Sequence, residues 1–132
     1  MSGETNLDKL IKGMEPVLIE GTYVFHSSDI SFEEALKFDP ILIFREQEGT
    51  ALILRKETAD KAGLTYVYPS RMITLNVYSS LEAVGFLAAI TRELAAAGIS
   101  VNPVSAHHHD HIFIPVDKAE LAMDILRRMA RG

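Results

Sequence analysis

Hydrophobic and polar residues alternate in several short runs of this sequence, and turn residues separate the runs. The clearest run spans residues 71–78, where Ile73, Leu75 and Val77 share one face of a predicted strand. Runs of the same kind predict strands at 17–20, 23–25, 41–44, 50–54, 66–68, 100–107 and 111–116. The 3.6-residue spacing and the end residues predict helices at 6–14, 31–38, 57–62, 117–129 and in a long segment that ends at Gly98. A turn is predicted at Pro69-Ser70.

The same order of elements occurs twice, and some of the residues repeat with it. Glu48-Gly49-Thr50 aligns with His108-His109-Asp110 at an offset of 60 residues (108 minus 48). His26-Ser27-Ser28 aligns with Tyr78-Ser79-Ser80 at an offset of 52 residues (78 minus 26). Two matches in the same order indicate an internal duplication in which the first helix of the N-terminal half is shorter.

This order predicts an α+β fold. Each half is expected to form a ferredoxin-like (βαββαβ) unit, an antiparallel sheet with its helices packed on one face. The predicted division is an N-terminal helix within 1–15, a first half over 16–69 and a second half over 70–132. Because the second half ends without its last strand, residues 17–20 are expected to supply it.

Composition narrows the class of protein. Hydrophobic residues make up 48% of the 132 residues and cysteine is absent, which excludes a disulfide framework, thiolate catalysis and a cysteine-based zinc site. The cysteine-free composition favours the cytoplasm. A net charge of −5 without a basic run argues against nucleic-acid binding. No signal peptide and no membrane span is predicted, so we expect no membrane partner.

The most informative segment joins a strand to the long helix through the loop Ser79-Ser80-Leu81-Glu82-Ala83-Val84-Gly85. This strand-loop-helix pattern, with Gly98-Ile99 at the return to the sheet, resembles the ACT domain. Together with residues 106–113 it resembles small stand-alone proteins made of two ACT-like halves. The resemblance implies a regulatory, non-enzymatic protein that binds a small ligand, commonly an amino acid, at this junction and uses no cofactor.

The chemistry of the junction suits such a ligand. Unpaired N–H groups at a helix N-terminus can receive a carboxylate, and Gly85 would let a ligand approach the backbone. Two alternatives remain open: Ser79 and Glu82 fit a capping box, and Gly85 can serve close helix packing. The predicted ligand-binding residues are Ser79, Ser80, Leu81, Glu82, Ala83, Val84, Gly85, Asn102, His109 and His111.

A run of histidines, His107-His108-His109-Asp110-His111, offers a different chemistry. On a continuous strand, His107, His109 and His111 would share one face and could bind a metal. We instead expect Asp110 to lie in the tight turn between two strands, which breaks this alternation. The histidines are then expected to line the ligand pocket, and no metal site is assigned.

The long helix that follows Gly85 has almost no polar face, which predicts a homodimer. The sequence has no nucleophile elbow, phosphate-binding loop or His-Glu-x-x-His pair, so catalysis is not expected. Two other functions remain open. One is a metal-binding protein or metal-dependent enzyme that uses the histidine run, and the other is a protein-assembly module with a vestigial ligand site.

Overall fold

Short helices and strands alternate along the chain in a computed structural model that describes residues 5–132. In chain order the elements are α1 (Leu7–Gly13), β1 (Glu15–Leu18), β2 (Tyr23–Ser28), α2 (Phe32–Leu36), β3 (Leu42–Glu46), β4 (Gly49–Arg55), α3 (Lys56–Ala62), β5 (Val67–Asn76), α4 (Phe86–Ala96), β6 (Asn102–Ser105), β7 (Asp110–Pro115) and α5 (Ala119–Arg131), with a 3-10 turn at Val116–Lys118. The predicted α+β class is therefore confirmed.

The chain folds as two compact units. One, called here the discontinuous unit, holds residues 5–19 together with Arg71–Gly132. The other, the continuous unit, holds Glu20–Ser70. Helix α1 thus belongs to the same unit as the second half of the sequence, whereas the sequence predicted a separate N-terminal helix within 1–15.

Strand β1 pairs antiparallel with the second part of β5. The register places Glu15 opposite Asn76 and Leu18 opposite Ile73, and the N–H of Ile19 donates to the carbonyl oxygen of Met72. A segment from the start of the chain therefore completes the sheet of the discontinuous unit. This strand ends at Leu18, slightly earlier than the predicted segment 17–20.

The continuous unit is a small antiparallel sheet with two helices on one face. Strand β4 pairs with β3 and β2, and the first part of β5 pairs with β2. Leu52 and Leu54 alternate on β4 and pack with Ala35 of α2 and Ala59 of α3, so both helices cover the same face.

The discontinuous unit repeats this arrangement with a larger core. Ile112 and Ile114 of β7 are fully buried with Ile90 of α4 and Leu126 of α5. Leu10 of α1 has no exposed surface and packs in the same cluster. The ferredoxin-like packing, with helices on one face of each sheet, is therefore confirmed.

The predicted turn at Pro69-Ser70 is wrong, because β5 runs without a break from Val67 to Asn76. The pairing of β2 with β5 shifts its register between Tyr23 and Phe25, and Tyr68 has a left-handed backbone with φ of 63°. Pro69 is tolerated at this irregularity, because a residue in a β-bulge does not have to donate an N–H to the neighbouring strand. The buried Ser70 hydroxyl donates to the carbonyl oxygen of Tyr23.

Within residues 5–132, none of the helices has both the length and the apolar content needed to cross a membrane.

Candidate functional site

The loop between β5 and α4 is held by hydrogen bonds within its own backbone and side chains. Ser80 is only 5% exposed, and its hydroxyl oxygen accepts a hydrogen bond from the N–H of Glu82. The N–H of Ala83 donates to the carbonyl oxygen of Ser80. The Ser80 side chain therefore stabilises a turn inside the loop instead of capping a helix.

Helix α4 begins at Phe86 and not directly after Ser79. Gly85 is its N-cap residue, with φ of 95°, and no side chain caps the helix. The capping-box alternative for Ser79 and Glu82 is therefore wrong. The first N–H groups of α4 stay available for an anionic group, since a helix start leaves such donors unpaired.

The reason for glycine at position 85 is its backbone conformation. A Cβ atom built there would lie 3.6 Å from Leu7 Cδ2, which is ordinary van der Waals contact. Close helix packing therefore does not require Gly85, whereas its positive φ does favour glycine.

A cleft of about 170 Å³ opens between this loop, the first turn of α4 and the β6–β7 hairpin. Five predicted site residues line it, namely Ser79, Ser80, Leu81, Ala83 and Gly85. The lining residues that sequence reasoning missed are Phe86, Leu87, Ala88, Ser105, Ala106 and Asp110.

The other predicted site residues lie outside the cleft lining. Glu82 and Val84 belong to the loop but are exposed, Val84 by 84%. Asn102 is exposed on β6, opposite Phe113. Ser105, at the other end of the same strand, does line the cleft. Strand β6 therefore contributes to the cleft through Ser105 instead of Asn102.

The remaining two predicted residues, His109 and His111, contact strand β5 and the segment that follows it. The Nδ1–H of His109 donates to the carbonyl oxygen of Val77, with 3.3 Å between the atoms. His111 Nδ1 lies 3.0 Å from Thr74 Oγ1. Burial and the positive charge of a protonated His109 lower the pKa of His111, and the nearby Asp110 carboxylate opposes this shift.

The histidine run forms the turn of the β6–β7 hairpin. The N–H of Ala106 donates to the carbonyl oxygen of His109, and Asp110 is the first residue of β7. The prediction that Asp110 lies in the turn is therefore wrong, because the turn comes earlier. His107 and His108 occupy the turn, so the strand alternation required for three imidazoles on one face is broken. Among residues 5–132, no group of three or more His, Cys, Asp or Glu side chains is arranged to hold a metal ion.

A larger cleft of about 510 Å³ lies in the continuous unit, and three of its charged side chains interact with one another or with the backbone. Lys56 Nζ is 2.9 Å from the Asp60 carboxylate, which also accepts a hydrogen bond from the Tyr66 hydroxyl. The Arg55 guanidinium donates to the carbonyl oxygen of Glu20. This cleft contains none of the residues that the sequence predicted as ligand-binding.

Comparison with known protein families agrees with this geometry. Two models of the ACT domain family match the chain, one over residues 2–71 and one over residues 67–128. The chain belongs to the ACT domain family. The prediction of a small protein with two ACT-like halves is thus confirmed. ACT domains are regulatory modules that bind small ligands, and the family gives this ACT protein that general role.

Solved structures with the same fold range widely in sequence identity to this chain. A Vibrio cholerae protein of unknown function, described as a possible transport protein, is 41% identical, with a TM-score of 0.87 over 94% of this chain and 95% of that one. An Agrobacterium tumefaciens protein is 13% identical, with a TM-score of 0.72 over 89% of each chain. The regulatory subunit of aspartate kinase from Thermus flavus is 12% identical, with a TM-score of 0.65 over 86% of this chain and 95% of that one. The last two show a shared fold alone. No curated protein sequence matches this chain significantly.

Proposed function

We propose that this ACT protein is a non-catalytic, cytoplasmic regulator that binds an amino acid in the cleft beside α4. The observation that carries the proposal is the uncapped N-terminus of α4, which opens on a cleft with polar groups on its other walls. A helix N-terminus suits an α-carboxylate, and the Ser79 and Ser80 hydroxyls supply hydrogen-bonding groups.

The lining of the cleft supports binding over catalysis. Asp110 is its one titratable side chain among the residues that the structure describes, and it has no histidine, lysine or second carboxylate beside it in the lining. Acid–base and nucleophilic mechanisms in enzymes usually need at least two such groups within hydrogen-bonding distance. A ligand bound here would act by favouring one conformation or assembly state of the protein.

The test is thermal unfolding of chelator-treated protein with each of the common amino acids, followed by divalent metals. A specific amino acid at a hundred times its Kd should stabilise the fold by about 2.7 kcal/mol. Ala88→Leu should abolish this response because the larger side chain fills the cleft. Ala95→Leu on the same helix lies outside the cleft and should keep it.

Each alternative predicts a different result. A response to metals only would support the metal-binding function and contradict amino-acid sensing. No response to any small molecule would support the assembly module. An equal response in wild type and Ala88→Leu would place the ligand somewhere other than this cleft.

The proposed homodimer is supported by the apolar surface of the same loop. Leu81 is 70% exposed and Val84 is 84% exposed, and Leu81 lines the cleft. The large apolar residues of α4, in contrast, are buried in the core of their own unit. We infer that a second copy of the chain covers the loop. Sedimentation analysis should give a dimer for wild type and a monomer for Val84→Asp, while Leu36→Asp, at an exposed position in the continuous unit, should stay dimeric. A dimer that survives Val84→Asp would contradict this interface.

A further inference from the structure

Two polar groups of the cleft can interact with a ligand. Asp110 is half-buried and is the one charged residue of the cleft lining within residues 5–132, and its carboxylate lies close enough to His111 to affect the pKa of that ring. The Ser80 hydroxyl is 5% exposed and accepts a hydrogen bond from the N–H of Glu82, so its own proton can be donated. A ligand in the cleft can therefore donate to the Asp110 carboxylate and accept from the Ser80 hydroxyl.

The duplicated half of the same chain supplies an internal comparison. The offsets of 60 and 52 residues align Asp110 with Thr50 and Ser80 with Ser28. The Thr50 hydroxyl donates to the carbonyl oxygen of Ile30 at 2.8 Å. Thr50 therefore pairs within the protein, whereas a carboxylate in its place could not donate this bond.

Ser28 is paired internally as well. His26 Nδ1 bonds the carbonyl oxygen of Thr65, so in the neutral ring Nδ1 carries the proton and Nε2 accepts. The Ser28 hydroxyl lies 3.0 Å from that Nε2 and donates a hydrogen bond to it. The backbone also comes close here, since a Cβ at Gly49 would lie 2.6 Å from the carbonyl oxygen of Ser28. The two polar side chains at the corresponding place in the continuous unit are thus paired without a ligand.

The charges of the open cleft define the chemical class of ligand. The Asp110 carboxylate attracts a cationic group, and the start of α4 attracts an anionic one. An α-amino acid carries both charges. No lysine or arginine lines the cleft, so a second carboxylate on the ligand would have no counter-charge. The volume of about 170 Å³ lies below the usual range of ligand pockets, which suits a compact side chain.

We propose that Asp110 binds the α-ammonium group of a small, uncharged amino acid such as glycine, alanine, serine or threonine, and that each chain has one such site. This inference rests on the proposed ligand-binding role of the cleft. The continuous unit has no equivalent site because Thr50 and Ser28 are already paired within the protein.

Isothermal titration calorimetry with alanine and lactate tests the role of Asp110, because lactate replaces the ammonium with a hydroxyl. Wild type should bind one alanine per chain and bind lactate at least about tenfold more weakly. Asp110→Asn should lose at least about tenfold in alanine affinity, and the difference between alanine and lactate should shrink. Asp117→Asn, an exposed acidic residue outside the cleft, should behave as wild type.

Asp110→Glu keeps the negative charge and is the control for Asp110→Asn, which could lose affinity through a folding defect. It should prefer alanine to lactate, and thermal unfolding without ligand should show both variants folded. Unchanged alanine affinity in Asp110→Asn, or two ligands per chain, would overturn the inference. Binding of only large or charged amino acids would overturn it and leave the proposed function standing. Binding of no amino acid at all would overturn both.

Discussion

His111 Nδ1 lies 3.0 Å from Thr74 Oγ1, so a half-buried imidazole on β7 is hydrogen-bonded to a hydroxyl on the neighbouring part of β5. Burial is the main reason that the pKa of His111 falls below its ordinary value of 6.5, and a charged His109 lowers it further. The neutral ring is therefore the form that the folded protein favours.

This relationship predicts a loss of stability in mild acid. The unfolded chain binds the proton more tightly than the folded one, so the contribution of His111 is fully present above about pH 6.5 and is lost as the pH falls through the lower folded pKa. Urea unfolding at about pH 8 and about pH 5 should show a smaller pH dependence in His111→Gln than in wild type. His107→Gln, in the exposed turn, should keep the wild-type dependence, and identical slopes in all three proteins would contradict the assignment.

The φ values of two glycines predict opposite effects of the same substitution. Gly85 has φ of 95°, so Gly85→Ala should destabilise the protein by about 1–2 kcal/mol through backbone strain. Gly13 ends helix α1 without a positive φ, and a Cβ there would lie 3.8 Å from Val77 Cγ2. Gly13→Ala should therefore stabilise by about 0.4–1 kcal/mol. Chemical denaturation measures the change in the free energy of unfolding for each variant. If both substitutions stabilised the protein, or if both destabilised it, this interpretation of the backbone would be contradicted.

Local sequence signals predicted some elements well and misplaced others. The pattern Ser-x-x-Glu occurs at Ser31 and at Ser79, yet only at Ser31 does a helix follow, with the Ser31 hydroxyl accepting from the N–H of Glu34. At Ser79 the chain continues as a loop up to Gly85, where the left-handed backbone sets the start of α4. The capping pattern alone cannot distinguish the two cases, because the residues that follow decide whether a helix continues.

Long-range pairing explains why a short motif does not reveal Asp110 as a site residue. Its place in the cleft depends on the β6–β7 register, in which Ser105 lies opposite Asp110. That register follows from the pairing of two strands and from the turn at His107 and His108. A short sequence motif predicts neither the pairing nor the position of the turn. The duplication, in contrast, is visible in the sequence, since whole segments repeat in order.

The hydroxyl of Thr50 provides a third prediction. Thr50 is 8% exposed, and its hydroxyl donates to the carbonyl oxygen of Ile30. Thr50→Val keeps the shape of the side chain but removes the donor, so the part-buried carbonyl oxygen of Ile30 loses this hydrogen bond. We expect a loss of about 1–3 kcal/mol in the free energy of unfolding. Thr91→Val is the matched control, because the Thr91 hydroxyl bonds a carbonyl within its own helix and its removal should change stability by less than about 0.5 kcal/mol. Equal losses in the two variants would contradict a special role for Thr50.

Leu10 tests whether α1 is part of the folded core. Its side chain has no exposed surface and packs in the cluster of the discontinuous unit, whereas Leu7 of the same helix is 37% exposed. Leu10→Ala should reduce the free energy of unfolding by about 2–5 kcal/mol, because it removes buried methyl groups and leaves a cavity. Leu7→Ala makes the same change in helix propensity. It should lose less than half as much free energy of unfolding as Leu10→Ala. If Leu10→Ala were as stable as Leu7→Ala in urea denaturation, α1 would not be part of the folded core. A large difference would establish that the start of the chain and residues 71–132 unfold as one unit.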